Sequence, residues 1–324
     1  MKKIVAVLLA ALMLLGTLGA LAEEAELTQA GVDRSKYPWG EYLTETDVVS
    51  EAQGKDVYIQ YTELFDEYVY ENPDETIGDL TYYFYDPIAH GADPEGTYPL
   101  VMWLHGGGNA TQGRTAIMLC GAAAYASEEF QEELGGMYIL FPMANPDLGW
   151  TEDCTATLKG IVDEVTETHD IQGEFIVAGQ SMGGFMTNYW LEDYAEDTDI
   201  VMWINTRVPD VETVRKYSDM GIIMWAENGI HDETIAFTDV YPDGPEAYDG
   251  IENFQYTVLE WIRNGDKSIV SINYSDDPSG EMGQHCSCLQ YNRNLIFDDG
   301  TPDDPNLPEG VTGWIRDALT RARA

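Results

Sequence analysis

The chain has 324 residues, of which 58 are acidic and 16 are basic, and its formal net charge at pH 7 is −42. A surface this negative repels nucleic acid and anionic membranes, so neither is expected as a partner. The length suits one large α/β domain with a buried core, while the charge says nothing about the fold.

The first 22 residues have the pattern of a secretory signal peptide. Lys2 and Lys3 precede an apolar stretch that runs from residue 4 to about residue 15, and Ala20-Leu21-Ala22 fits a signal-peptidase site. The apolar stretch is short for a bilayer span. We therefore predict a signal peptide over 1–22, a secreted protein with no membrane contact after cleavage, an N-terminal extension over 23–75 packed on the body, and the main α/β domain over 76–324.

Short apolar runs alternate with segments of helical period along most of the chain. The predicted strands are 57–61, 80–85, 100–104, 137–141, 175–178, 200–205, 221–226 and 268–274. Helical periodicity is evident over 158–168 and 246–263. This alternation predicts a mostly parallel central sheet of about eight strands, covered by helices on both faces, with the first two strands antiparallel.

Ser181 is the candidate nucleophile. It lies in Gly-Gln-Ser-Met-Gly, directly after the apolar run 175–178 and before a helix-like stretch over 184–194. A strand, a sharp turn and a helix in this order predict a nucleophile elbow, in which the serine hydroxyl stands above the end of a sheet. The turn strains the serine backbone and leaves no space for side chains at Gly179 and Gly183. An ordinary strand-to-helix connection with a surface serine is the alternative interpretation.

A glycine-rich loop, His105-Gly106-Gly107-Gly108, follows the predicted strand 100–104. Ligands of α/β sheets bind beyond the carboxyl ends of the strands. The backbone N–H of Gly107 or Gly108, together with that of Met182, is predicted to form an oxyanion hole. A plain glycine-rich turn is the alternative, and His105 is predicted to shape the loop.

Asp232 and His285 complete the predicted catalytic triad. Asp232 follows the run 221–226, where its carboxylate can hold an imidazole in one tautomer and stabilise the imidazolium. Glu227, at the end of the same run, is the competing acid. His285 follows the last predicted strand and so fits the Ser, acid, His order of this architecture. His231 is disfavoured because it is adjacent to Asp232 in the sequence.

Cysteines and tryptophans supply further candidates. Cys286 and Cys288 are too close to bridge each other comfortably, so we predict a disulfide from one of them to Cys154 in this exported chain. Trp150 and Trp225 either line an aromatic-binding cleft for substrate or pack in the core. The sequence contains no CxxC pair and no histidine cluster with metal-ligand spacing, and we predict no metal and no cofactor.

Two segments resemble secreted α/β-hydrolase esterases of the feruloyl esterase and polyhydroxybutyrate depolymerase type. They are residues 98–108, which end in His-Gly-Gly-Gly, and residues 177–187 around Ser181. Residues 228–232 are similar to the His-Gly-x-x-Asp acid loop of that group, with Asn228 where histidine is usual. The resemblance covers about residues 80–290 and implies an α/β-hydrolase fold.

These observations predict a secreted serine carboxylic ester hydrolase that works through a Ser-His-Asp triad and an acyl-enzyme. The resemblance implies acyl or feruloyl esters of plant polysaccharides as substrates, and export suits a polymer-linked ester. Prolyl-oligopeptidase-like hydrolases share the same motifs, so a serine peptidase is one alternative. A polyester (polyhydroxyalkanoate) depolymerase is another.

Overall fold

The computed structural model describes residues 59–229, 232, 234–259, 285, 294–295, 302 and 304–323. The predicted signal peptide, residues 23–58 of the predicted extension, the predicted strand 268–274, His231, Cys286 and Cys288 lie outside the described residues.

Strands and helices alternate through the described part of the chain. The strands are β1 (Asp66–Tyr70), β2 (Leu80–Tyr85), β3 (Leu100–Leu104), β4 (Tyr138–Pro142), β5 (Phe175–Gln180), β6 (Ile200–Ile204), β7 (Ile223–Gly229) and β8 (Phe254–Leu259). The α-helices are α1 (Ile59–Thr62), α2 (Thr115–Leu119), α3 (Glu128–Leu134), α4 (Cys154–His169), α5 (Met182–Tyr194), α6 (Val211–Asp219), α7 (Phe237–Val240) and α8 (Gly310–Ala322). Among these residues, no helix is both long and apolar enough to cross a membrane.

All eight described strands form one sheet, in the order β1-β2-β4-β3-β5-β6-β7-β8. Strand β2 pairs antiparallel with β1 and β4, whereas the pairs from β4 through β3 to β8 are parallel. The predicted mostly parallel α/β sheet is therefore confirmed. Because the carboxyl ends of β3, β5, β6 and β7 meet at one edge, the loops that follow them converge there.

Two apolar cores lie on opposite faces of the sheet, because successive side chains of a strand point to opposite sides. In β3, Val101 and Trp103 belong to one core, which helices α2, α3 and α8 cover. Leu100, Met102 and Leu104 belong to the other, which α4, α5 and α6 cover. The fully apolar runs of the central strands are thus buried on both faces, as expected for parallel strands between two helical layers.

The structure corrects the prediction at both ends of the sheet. Residues 59–61, predicted as part of a strand, fall in helix α1, and the first described strand is Asp66–Tyr70, which the sequence analysis placed in the N-terminal extension. Residues 254–259, predicted as helical, form β8 and pair in parallel with β7 from Met224↔Phe254 to Gly229↔Leu259. Aromatic and β-branched residues favour a strand there, and pairing to β7 outweighs the local helical period. The predicted strands between residues 80 and 226 and the helix over 158–168 are confirmed, with small shifts at their ends.

Candidate active site

Ser181 occupies a strained turn between β5 and α5. Its backbone has φ 53° and ψ −116°, a conformation that non-glycine residues rarely adopt. A Cβ added at Gly179 would collide with the backbone of Gly183, and one added at Gly183 would collide with the carbonyl of Leu104. The predicted crowding of the turn is therefore confirmed. The Ser181 N–H donates to Ile204 O at 2.9 Å, which ties the turn to the end of β6.

His285 lies between Ser181 and Asp232 and bonds to both. Its Nδ1 is 2.6 Å from Asp232 Oδ2, and its Nε2 is 2.8 Å from Ser181 Oγ. With Nδ1–H donating to the carboxylate, Nε2 accepts from the serine hydroxyl, which is the tautomer that a general base needs. His285 is 6% exposed and Asp232 is 3% exposed, so little water competes for these hydrogen bonds. The structure thus brings together the three residues that the sequence analysis proposed as a triad.

The Asp232 carboxylate is held in place by its own loop. Its Oδ1 accepts the backbone N–H groups of Thr234 at 2.8 Å and Ile235 at 3.1 Å, which leaves Oδ2 for the imidazole. These two backbone hydrogen bonds orient one carboxyl oxygen of Asp232 toward His285.

Glu227, the competing acid, does not occupy this position. It lies fully buried within β7, and both ring nitrogens of His285 are bound to other side chains. Burial raises the pKa of Tyr241 well above its ordinary value, and the nearby Glu227 carboxylate raises it further. Asp232 is therefore the acid that the structure places against the imidazole.

The glycine loop after β3 is fixed by His105, whose side chain is fully buried. Its Nε2 accepts the backbone N–H of Ala144 at 3.0 Å, so the ring proton is on Nδ1, which donates to Gly106 O at 2.7 Å. Burial lowers the pKa of His105 to about 4, and the ring is neutral near pH 7. The indole Nε1 of Trp150 donates to His105 O at 2.9 Å. These contacts agree with the predicted role of His105 in shaping the loop.

Met182 and the glycine loop lie side by side next to Ser181. Met182 begins helix α5, and the first N–H groups of a helix have no carbonyl partner within it. A Cβ added at Gly107 would be 3.3 Å from Met182 Sδ, so loop and helix terminus are in contact. Gly107 and Gly108 are exposed. The glycine loop and the start of α5, which directly follows Ser181, are therefore neighbours.

A chain of hydrogen bonds from buried side chains supports the turn at Ser181. The sequence analysis missed it. Thr206 Oγ1 donates to Ser181 O at 2.8 Å, Asn228 Nδ2 donates to Thr206 O at 3.1 Å, and Tyr241 OH donates to Asn228 Oδ1 at 3.2 Å. Thr206 and Asn228 are almost completely buried. Polar residues directly after an apolar strand, as in Asn205-Thr206 after β6, are the signal that could have pointed to this support.

The predicted role of Trp225 in substrate binding is wrong, because its side chain is 0% exposed. Its ring packs 5.6 Å from that of Trp314, and its Nε1 donates to Thr257 Oγ1 at 3.1 Å, so it belongs to the core. Trp150 is also buried, and its ring lies 5.1 Å from that of His105. The core-packing alternative therefore holds for both tryptophans, and Trp150 supports the glycine loop.

Cys154, for which a disulfide is predicted, is a free thiol buried at the start of α4. Its sulfur lies 3.5 Å from Thr151 Oγ1, in the turn that precedes the helix. The predicted partners, Cys286 and Cys288, lie outside the described residues. Within the part of the chain that the structure describes, no group of three or more His, Cys, Asp or Glu side chains is placed to hold a metal ion.

Comparisons with known proteins show which solved structures have a similar fold. No family model matches the chain, and no curated protein sequence matches it. Among solved structures, a thermostable esterase has a TM-score of 0.50 and 19% identity, over 61% of this chain and 55% of that one. A feruloyl esterase module from Clostridium thermocellum, solved with sinapinate, has a TM-score of 0.49 and 14% identity, over 70% of this chain and 87% of that one.

The chain spans little more than half the length of that thermostable esterase. At this level of identity the likeness concerns the fold alone. The sheet order, the strained serine after β5 and the order of Ser181, Asp232 and His285 along the chain define an α/β-hydrolase fold. The fold predicted from the sequence is therefore confirmed.

Proposed function

We propose that this protein is a serine hydrolase that cleaves carboxylic esters through an acyl-enzyme. One observation carries the proposal: Ser181, His285 and Asp232 form a continuous hydrogen-bonded chain at the carboxyl end of a parallel sheet. The distance of 2.8 Å between Ser181 Oγ and His285 Nε2 is within the range for direct proton transfer.

The mechanism follows from this arrangement. His285 accepts the proton of Ser181 as its Oγ attacks the ester carbonyl, and Asp232 stabilises the imidazolium that forms. The backbone N–H of Met182 and that of Gly107 or Gly108 donate to the oxyanion. His285 then protonates the leaving alcohol, and water repeats the cycle on the acyl-enzyme. Because the glycine loop is exposed, a substrate can approach these donors from solvent.

We further propose that the protein is secreted and acts on acyl or feruloyl esters attached to plant polysaccharides. The signal-peptide pattern of residues 1–22 supports export, and export suits a substrate that cannot enter a cell. The thermostable esterase of similar fold supports ester chemistry over amide chemistry.

The test is a panel of ester and amide substrates with purified protein. We expect hydrolysis of p-nitrophenyl acetate and methyl ferulate, with turnover reduced on the order of 10⁴-fold or more in Ser181→Ala. Ser218→Ala, which removes a hydroxyl near the end of α6, is the matched control and should retain activity. Faster cleavage of a peptide anilide than of methyl ferulate would favour a peptidase, and selective cleavage of a polyhydroxyalkanoate film would favour a depolymerase. Labelling by a fluorophosphonate at a serine other than Ser181 would refute the nucleophile.

A further inference from the structure

Arg207 lies in the loop after β6, at the edge of the sheet where the loops that follow β3, β5, β6 and β7 converge. It directly follows Thr206, whose hydroxyl bonds to Ser181 O at 2.8 Å, and its own side chain is exposed. Its guanidinium carbon lies 5.9 Å from the centre of the Phe185 ring, and its Nε donates to Asp239 O at 3.1 Å. A cation over an aromatic ring and a backbone hydrogen bond restrict the position of this side chain.

The guanidinium of Arg207 has no carboxylate partner among the described residues. Four other basic side chains do form ion pairs there: Arg114 with Glu67, Lys159 with Asp163, Arg316 with Glu309, and Arg323 with Glu174. Arg215, Lys216 and Arg321 likewise have no carboxylate partner among the described residues, but Arg207 differs from them in directly following Thr206 at the serine turn. Because the backbone hydrogen bond uses Nε, Nη1 and Nη2 are left as donors for a ligand.

The position of Arg207 relative to Ser181 follows from helix α5. The backbone N–H of Phe185 donates to Ser181 O at 3.4 Å, so the ring beneath the guanidinium belongs to the first turn after the nucleophile. One turn rises about 5.4 Å, so the Phe185 backbone beneath the guanidinium lies about one helical turn from that of Ser181. A substrate bound at Ser181 could therefore extend toward Arg207 with a chain of several atoms.

We propose that Arg207 binds a carboxylate of the substrate, and that the preferred esters carry one isolated carboxylate several bonds from the ester carbonyl. This inference rests on the proposed ester hydrolase function. The planar guanidinium presents two parallel N–H donors that match a carboxylate. The net charge of −42 repels extended polyanions, whereas screening over about 8 Å at physiological ionic strength weakens the repulsion of a single carboxylate.

The test compares anionic and neutral esters of equal chain length. p-Nitrophenyl half-esters of adipate and suberate are compared with p-nitrophenyl hexanoate and octanoate, and the readout is the ratio of kcat/KM for each anionic ester to that of its neutral match. We expect a ratio above one in the unmodified protein, and a fall of about tenfold in Arg207→Gln. Arg207→Lys keeps the charge but loses the planar pair of donors, so its ratio should lie between those of the unmodified protein and Arg207→Gln.

Arg215→Gln is the matched control, because Arg215 is also exposed but lies on α6. It should leave the ratio unchanged. The inference is overturned if the unmodified protein shows no preference for the anionic esters. It is also overturned if Arg207→Gln lowers kcat/KM equally for the anionic ester and for its neutral match. In either case the neutral esters are still hydrolysed and the proposed function stands. If no ester is hydrolysed, the proposed function and this inference both fail.

Discussion

Substitution of Thr206 by valine removes one hydroxyl from the support of the nucleophile with little change in side-chain shape. That hydroxyl donates to Ser181 O at 2.8 Å, and the side chain is fully buried. The same carbonyl also accepts the N–H groups of Gly184 at 2.9 Å and Phe185 at 3.4 Å. Because Ser181 O would keep these partners, the loss is that of one ordinary hydrogen bond, about 0.5–1.5 kcal/mol, and not that of an unsatisfied buried group.

This free energy sets the expected kinetic effect. If the hydrogen bond serves to hold Ser181 in position, its loss raises the activation barrier, and 1.36 kcal/mol corresponds to a factor of ten. We therefore expect Thr206→Val to lower kcat/KM for p-nitrophenyl acetate by about 2- to 12-fold. The rate of Ser181 labelling by a fluorophosphonate should fall in parallel, because that reaction depends on the same hydroxyl.

Thr206→Ser provides the control, since it keeps the hydroxyl and loses only the methyl group. It should react close to the rate of the unmodified protein, and circular dichroism should show that both variants are folded at the assay temperature. Unchanged labelling of Thr206→Val, or equally slow labelling of Thr206→Ser, would refute the positioning role of this hydrogen bond.

Three further predictions concern the triad, the turn and the glycine loop. Asp232→Asn should reduce kcat by about 10⁴-fold, because the imidazole loses its tautomer control, and ester kinetics at pH 7 check this; a loss below tenfold would contradict it. Gly183→Ala should destabilise the fold by about 1–3 kcal/mol through its collision with Leu104, measured by urea unfolding, and an unchanged midpoint would contradict the packing. His105 should stay neutral down to about pH 4 in an NMR titration of its ring. Because the unfolded chain protonates this histidine near pH 6.5, its contribution should make stability fall as the pH drops from about 6.5 to 4, and ring titration near 6.5 would refute the burial argument.

The elbow and the glycine loop were predictable because their chemistry is local. Ser181 is bracketed by glycines, and each motif follows an apolar run that is long enough for a strand. The order of serine, acid and histidine along the chain then identified Asp232 and His285 as candidates, although no local pattern places either of them near Ser181.

Features that depend on strand pairing were not predictable from local sequence. The register Ile204↔Glu227 between β6 and β7 places Thr206 and Asn228 within hydrogen-bonding reach of each other, and it is invisible in the sequence. Strand β8 was missed for the same reason, since its pairing with β7 outweighs a helical period in residues 246–263. Trp225 was misassigned because a buried strand and a cleft wall both favour aromatic residues.

The strained backbone conformation that presents the Ser181 hydroxyl lowers the stability of the folded protein. A residue with a side chain at φ 53° and ψ −116° costs the native state on the order of 1–3 kcal/mol, a cost that glycine avoids. An inert variant with glycine at this position should therefore resist heat and denaturant better than the parent. Screening libraries of this chain for thermal tolerance alone would select against the very residue proposed to react, so activity must be selected at the same time.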